Sequence, residues 1–194
     1  MQSNAERLRH LLAPVHDRAQ SFARGLCRSR ADGDDLYQEA LLRAIAKLDG
    51  LRDDAAYRPW LYSVVISVHR NRARREFWRR LVPLGDDDHA QLGAQPYRAT
   101  DWSPDAAEAA ARARAALATL PAVQRETIVL FELEGWQVDE IAGLHRVSAS
   151  AVKSRLARGR DRLRSYYERA AEARPPIVAR AATGPTGSAG GDSP

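Results

Sequence analysis

Apolar residues return every three to four positions along most of the chain, and no stretch alternates with period two between hairpin turns. The pattern therefore predicts an all-α protein. Leu8, Leu11, Leu12, Val15, Ala19, Phe22 and Leu26 follow one helical stripe, with Pro14 as a break inside it. A second helix is expected to open at the acidic cluster of residues 32–35 and to run through LYQEALLRAIAKL. After the loop DGLRDDAAY, Pro59 suits the start of a third, whose stripe is Trp60, Leu61, Val64, Val65 and Val68. Trp60 and Tyr62 read as core. A bundle of three or four helices ending near Leu81 accounts for this part.

From residue 82 to residue 111 the periodicity dissolves into Pro, Gly and Asp, with six acidic residues between Leu84 and Ala111 opposed by Arg98 alone. That composition predicts a flexible linker. A second helical unit is expected over 112–169, with Pro121 opening a helix that passes Phe131 and Leu133 and ends at Gly135. The small, Pro- and Gly-rich residues 170–194 predict a disordered tail. The fold expected is thus two small helical domains, 1–81 and 112–169, joined by a linker.

Charge changes the picture next. Of 194 residues, 30 are basic and 25 acidic, a net charge of +5, and the pI is about 9.8, which favours a polyanionic partner. Only Lys47 and Lys153 are lysines, leaving 28 arginines, the side chain suited to forked contacts with phosphate and guanine. No apolar run approaches the roughly 20 residues of a membrane span, so membrane insertion is not expected. The start of the chain lacks an apolar signal core, and the lone Cys27 forms no internal disulfide. Both point to the cytoplasm.

The sharpest local signal is VDEIAGLHRVSASAVKSRLARGRDRL. Val138, Ile141 and Leu144 form the inner face of a short helix, residues 145–147 a turn, and Ser148 the cap of a second helix with Val152, Leu156 and Leu163 inward. This is helix-turn-helix spacing. The outward residues Ala149, Ser150, Lys153, Ser154, Arg155 and Arg158 are small at the start and basic beyond, as a major-groove helix requires, with Arg158 and Arg160 placed for phosphates. A solvated basic helix in an ordinary bundle would look similar. In RPWLYSVVISVHRNRARREFWRR, seven arginines face the single Glu76, and aromatic neighbours suit a groove that tracks a single strand. The acidic face of DDLYQEALLRAIAKL repels DNA and suits a protein partner, or merely compensates the helix dipole over a buried leucine stripe.

Two of these segments together resemble a known family. LPAVQRETIVLFELEGWQVDEIAGLHRVSASAVKSRLARGRDRLRSYY is similar to region 4 of bacterial RNA polymerase sigma factors, and DGDDLYQEALLRAIAKLDGLRDDAAYRPWLYSVVISVHRNRARRE to region 2 of the extracytoplasmic-function (ECF) group. The resemblance covers most of residues 8–167. It implies that Asp35, Gln38, Glu39, Leu42 and Ile45 dock on core RNA polymerase, through a coiled coil of β′ with β as a further contact. It implies a pocket for an extruded base of the minus-ten element lined by Lys47, Leu51, Val64 and Ser67, with Arg70, Arg72, Arg74 and Arg75 along the strand. Ser148 joins the outward residues of the second helix in reading the minus-thirty-five duplex. Ser67 stands where asparagine is frequent, and Arg146 where the turn usually carries glycine. Promoter DNA and an anti-sigma factor are the further partners implied.

No metal, cofactor or catalytic group is expected. The five histidines lack ligand spacing, Cys27 has no histidine near it in sequence, and no phosphate-cradling glycine loop is present. The linker, about 30 Å across as a coil and about 100 Å extended, would bridge two to three turns of DNA. The alternatives are a stand-alone helix-turn-helix regulator, which would bind specific duplex without polymerase, and a helical adaptor with no affinity for DNA.

Overall fold

The computed structural model describes residues 4–81 and 104–173, and every regular element among them is helical. The first unit contains α1 (Asn4–Leu12), α2 (His16–Leu26), α3 (Arg30–Lys47) and α4 (Tyr57–Leu81). The second contains α5 (Pro104–Ala118), α6 (Ala122–Ile128), a π-helical turn (Val129–Leu133), α7 (Val138–His145) and α8 (Ala149–Glu172). Residues 82–103 of the expected linker and 174–194 of the expected tail lie outside the described residues.

The break at Pro14 separates α1 from α2 as the sequence suggests. Helix α3 starts earlier than the acidic cluster does, because Ser29 is its cap: the Ser29 hydroxyl accepts from the Asp32 N–H at 3.0 Å. Ala19, Phe22, Ala23 and Leu26 of α2 bury against Leu36, Tyr37, Ala40 and Ala44 of α3. The two backbones meet at Gly33, where a Cβ would lie 2.5 Å from Arg24 Cα, so no side chain fits there. Arg24 Nε donates to Asp34 at 2.7 Å beside this crossing. Leu61, Tyr62, Val65, Ile66 and Val68 carry α4 into the same core.

Two boundaries depart from expectation. Helix α5 begins at Pro104, so residues 104–111 are helical rather than linker. Pro104 in the first turn, Asp105 at the positive helix end and an alanine-rich run outweigh the Pro and Asp content that reads as loop. At the other end α8 continues to Glu172, three residues past the expected boundary.

The larger finding is that the units share one core. A single cluster of buried side chains runs from Ala19 through Leu61 and Val129 to Leu156. The Tyr62 ring lies 4.9 Å from Phe22 and 5.0 Å from Trp136. The Arg125 guanidinium crosses the seam to the Leu26 carbonyl at 2.6 Å. Nothing in the local composition indicates that the two units pack against each other.

Candidate polymerase and nucleic-acid interfaces

Helix α3 is two-faced. While Leu36, Ala40 and Ala44 are buried, Asp35 and Gln38 are exposed, and Leu42 and Ile45 stand 69% and 51% in solvent. Two bare aliphatic side chains beside a carboxylate and an amide are what a protein-binding face requires. Glu39 is different. Half-buried, it accepts from Arg43 at 2.6 Å and from Arg72 of α4 at 2.7 Å, while Arg72 Nη2 reaches the Asp35 carbonyl at 2.9 Å. Glu39 and Arg72 thus hold α3 to α4, a role that a sequence reading of either as a free contact residue misses.

Of the four residues expected to line a base pocket, Lys47 and Ser67 are exposed, Val64 is half-buried and Leu51 is buried in the core. The Leu51 carbonyl is taken by Arg7 at 2.8 Å, which also grips Asp54 and so fixes the connection between α3 and α4. Further along α4, Arg74 donates to Asn71 at 2.5 Å and Arg75 is exposed. Phe77 and Trp78 follow, 59% and 58% exposed and edge-to-face at 5.9 Å. Asn71, Arg74, Arg75 and Trp78 line a cleft of about 530 Å³. The signal for this aromatic pair was available: it lies beyond the apolar stripe of α4, inside the arginine run.

In the second unit the turn-capping expectation holds. Ser148 Oγ accepts from the Ala151 N–H at 3.2 Å, and Val152 and Leu156 bury while Ser150, Lys153 and Arg158 face solvent. Ala149 and Ser154 are half-buried. Arg146 takes the left-handed conformation, φ 54°, that a glycine would adopt without strain. Arg160 is held by Glu132 at 2.8 Å and lies over the Phe131 ring, so it is not the free phosphate ligand its position suggests.

Glu126 was not singled out by sequence reasoning, yet it is the electrostatic centre of the molecule. Its side chain is fully buried, and Arg70 of α4 grips both carboxylate oxygens at 3.1 and 2.5 Å. His69 Nδ1 lies 3.5 Å away and His145 Nε2 3.8 Å. Burial alone would raise the Glu126 pKa, but the paired hydrogen bonds and positive charge of Arg70, with the His69 and His145 rings close by, hold it below the usual carboxylate range. His145 is pushed down to about 4, chiefly by burial, so it is neutral at pH 7. Its Nδ1 meets Arg155 Nη1 at 3.2 Å. Arginine only donates, so Nδ1 is the acceptor and the ring proton sits on Nε2, facing Glu126. A second cross-unit pair stands nearby: Tyr62 donates to Glu134 at 2.6 Å, and Arg58 lies 4.5 Å above the Trp136 ring.

Among the described residues no cluster of three or more His, Cys, Asp or Glu is placed to hold a metal ion, and no helix is long and apolar enough to cross a membrane. Burial lifts the Cys27 thiol to about 11, away from reactivity.

Comparison with known proteins agrees with this geometry. The family models for Sigma-70 region 2 and Sigma-70 region 4 match residues 11–79 and 110–163. The ECF RNA polymerase sigma factor SigM of Mycobacterium tuberculosis is 32% identical over 148 residues, covering 76% of this chain and 70% of that protein. ECF RNA polymerase sigma factor EcfG of Rhodopseudomonas palustris is 30% identical, covering 87% and 90%. Among solved structures, the sigma factor RpoE in complex with the anti-sigma factor NepR, from Bartonella quintana, is similar with a TM-score of 0.57 and 25% identity, covering 82% of this chain and 95% of that one.

Proposed function

The chain belongs to the ECF RNA polymerase sigma factors, subunits that direct polymerase to promoters, and from that premise we propose how its surfaces divide the work. The exposed face of α3 docks on β′ of core polymerase, through Leu42 and Ile45 with Asp35 and Gln38 at their side. The arginine-bearing end of α4, with Lys47 and Ser67 near the preceding loop, meets the melted non-template strand of the minus-ten element. Ser150, Lys153 and Ser154 read base edges of the minus-thirty-five duplex, and Arg158 holds its backbone. The chain performs no catalysis itself. Its place is the cytoplasm, where an anti-sigma factor is a fitting inhibitor, as the solved RpoE complex with NepR suggests.

The observation that carries this reading is the pairing of bare Leu42 and Ile45 with an otherwise well-packed α3. Because Glu39 is tied to Arg72, the clean test avoids it. Leu42→Ser with Ile45→Ser leaves the core untouched and removes about 2 kcal/mol or more from a buried interface, a loss of roughly thirtyfold in affinity for core polymerase. Unchanged co-migration with core would refute the docking face. Tight duplex binding by the isolated chain, with no strand opening when core is added, would instead identify a stand-alone regulator.

A further inference from the structure

Helix α1 carries no residue assigned above to polymerase or to DNA, yet it reaches the loop that borders the expected base pocket. Leu8, Leu11 and Leu12 pack its apolar side on the core, and Arg7 extends from beside them to the connection between α3 and α4. There one guanidinium makes three bonds. Nη2 donates to the Leu51 carbonyl at 2.8 Å and to Asp54 Oδ1 at 2.6 Å, and Nε donates to the same carboxylate oxygen at 3.0 Å. We propose that Arg7 is a positioning residue for base discrimination: without itself meeting the base, it sets residues 51–54 so that the loop offers one fixed shape to an unpaired base of the minus-ten strand. The proposal rests on the assignment of Lys47, Ser67 and the neighbouring loop to that strand.

The loop is anchored at its ends and bare in its middle. A 3₁₀ turn over Leu48–Gly50 opens it, with the Leu51 N–H donating to the Leu48 carbonyl at 3.0 Å. A second over Asp54–Ala56 closes it, with the Asp53 side chain accepting from the Ala55 N–H at 3.0 Å. Leu48, Leu51 and Tyr57 are buried, whereas residues 52–55 are exposed. Arg7 grips the chain on both sides of Arg52 and Asp53, so its fork spans the two residues between the turns. A guanidinium suits this task, because donors on one rigid plane hold a carbonyl and a carboxylate at once. Its effect is local. The Asp54 side chain is 55% exposed, so the ion pair adds little to the stability of the whole fold. What the clamp removes is the loop's freedom to rearrange. A loop free to repack accepts the wrong base nearly as well as the right one, so losing the clamp narrows the difference between bases more than it weakens binding of the best one.

The test uses the full chain, reconstituted with core polymerase, on a duplex library randomised through the minus-thirty-five and minus-ten elements, each template carrying a barcode in its transcript. The parent chain should show base preferences in both elements. Arg7→Ala should flatten the preference at one or two minus-ten positions by about tenfold, with the minus-thirty-five preferences and the affinity for core each within about twofold of the parent. Arg7→Lys, a point charge in place of a fork, should recover part of the lost preference. Asp54→Ala, an exposed change that leaves the bond to the Leu51 carbonyl, should flatten the same positions to a smaller degree. Unchanged minus-ten preference in a cooperatively melting Arg7→Ala chain overturns the proposal. So does an equal loss in both elements, which is what a merely structural role would give. If Arg7→Ala does not melt cooperatively, Asp54→Ala decides in its place: the minus-ten preference flattens there alone, or the proposal falls. A parent chain with no minus-ten preference of its own would sink the functional reading, and the proposal with it.

Discussion

Arg125 carries the most concentrated set of contacts at the seam, and its removal has a calculable cost. Its Nε donates to the Leu117 carbonyl at 2.8 Å, its Nη2 to those of Ala118 and Leu120 at 3.0 and 3.1 Å, and its Nη1 to that of Leu26 at 2.6 Å. The first three lie at or just beyond the end of α5, where carbonyls run short of backbone donors (that of Leu117 also accepts from the Leu120 N–H), and the fourth is the last residue of α2. One cation thus closes two helix ends and joins the units, with burial drawing its pKa downward. Replacing it by methionine keeps the stem but leaves four acceptors. Allowing water to recover part of each, the loss is about 1 kcal/mol per bond, or about 3–4 kcal/mol in all. For a domain of this size that lowers the Tm by roughly 10 °C. Urea unfolding of Arg125→Met beside Arg125→Lys, which keeps the charge but not the fork, separates charge from geometry. Lysine should recover less than half of the loss. A methionine variant within 1 kcal/mol of the parent would refute the capping role.

Further expectations follow from single residues. Arg146→Gly relieves a left-handed backbone and should stabilise the turn by about 1 kcal/mol, read as a higher urea midpoint with DNA affinity nearly unchanged. Acid should unfold the chain through His145: its pKa falls from about 6.5 unfolded to about 4 folded, so the unfolded state takes the proton first and stability declines as pH drops through that window. About 2 kcal/mol should be lost between pH 8 and pH 5. Depressed Glu126 adds to the loss below about 4.5, whereas Glu134, raised by burial, works the other way, so His145→Gln is the control that should flatten the His145 part of the slope. Lys153→Ala should change preference at one base pair by about 1–3 kcal/mol, while Arg158→Ala should weaken all sequences and lower the salt slope by about one. Equal effects on every promoter from both changes would contradict that division.

Helical content was legible because each helix buries one stripe, and a 3.6-residue period survives any composition. The start of α3 was harder, since Ser29 competes with a more conspicuous aspartate cluster. The α5 start was hidden by Pro104 and Asp105, which read as loop residues yet serve as first-turn residues. The proposed docking face of α3 shows in the sequence as residue types, but only the fold shows Glu39 bonded to Arg72 and Leu42 bare. What local pattern could not supply was the seam. Periodicity says that Tyr62 and Val65 are buried, not what lies opposite them. Glu126 left a trace nonetheless: it precedes Val129 and Leu130 by three and four positions, on the apolar stripe, where an acidic residue needs a buried partner.

The shared core also sets a timetable for synthesis. Tyr62 and its partner ring Trp136 are 74 positions apart. At roughly 5–20 residues per second, the ribosome makes Tyr62 about 4–15 seconds before Trp136 exists to cover it. Through that interval the nascent first unit carries an uncovered aromatic face, so the window for misassociation is set by translation speed. Slow codons between the two halves would lengthen it, whereas slow codons after Trp136 would leave it unchanged.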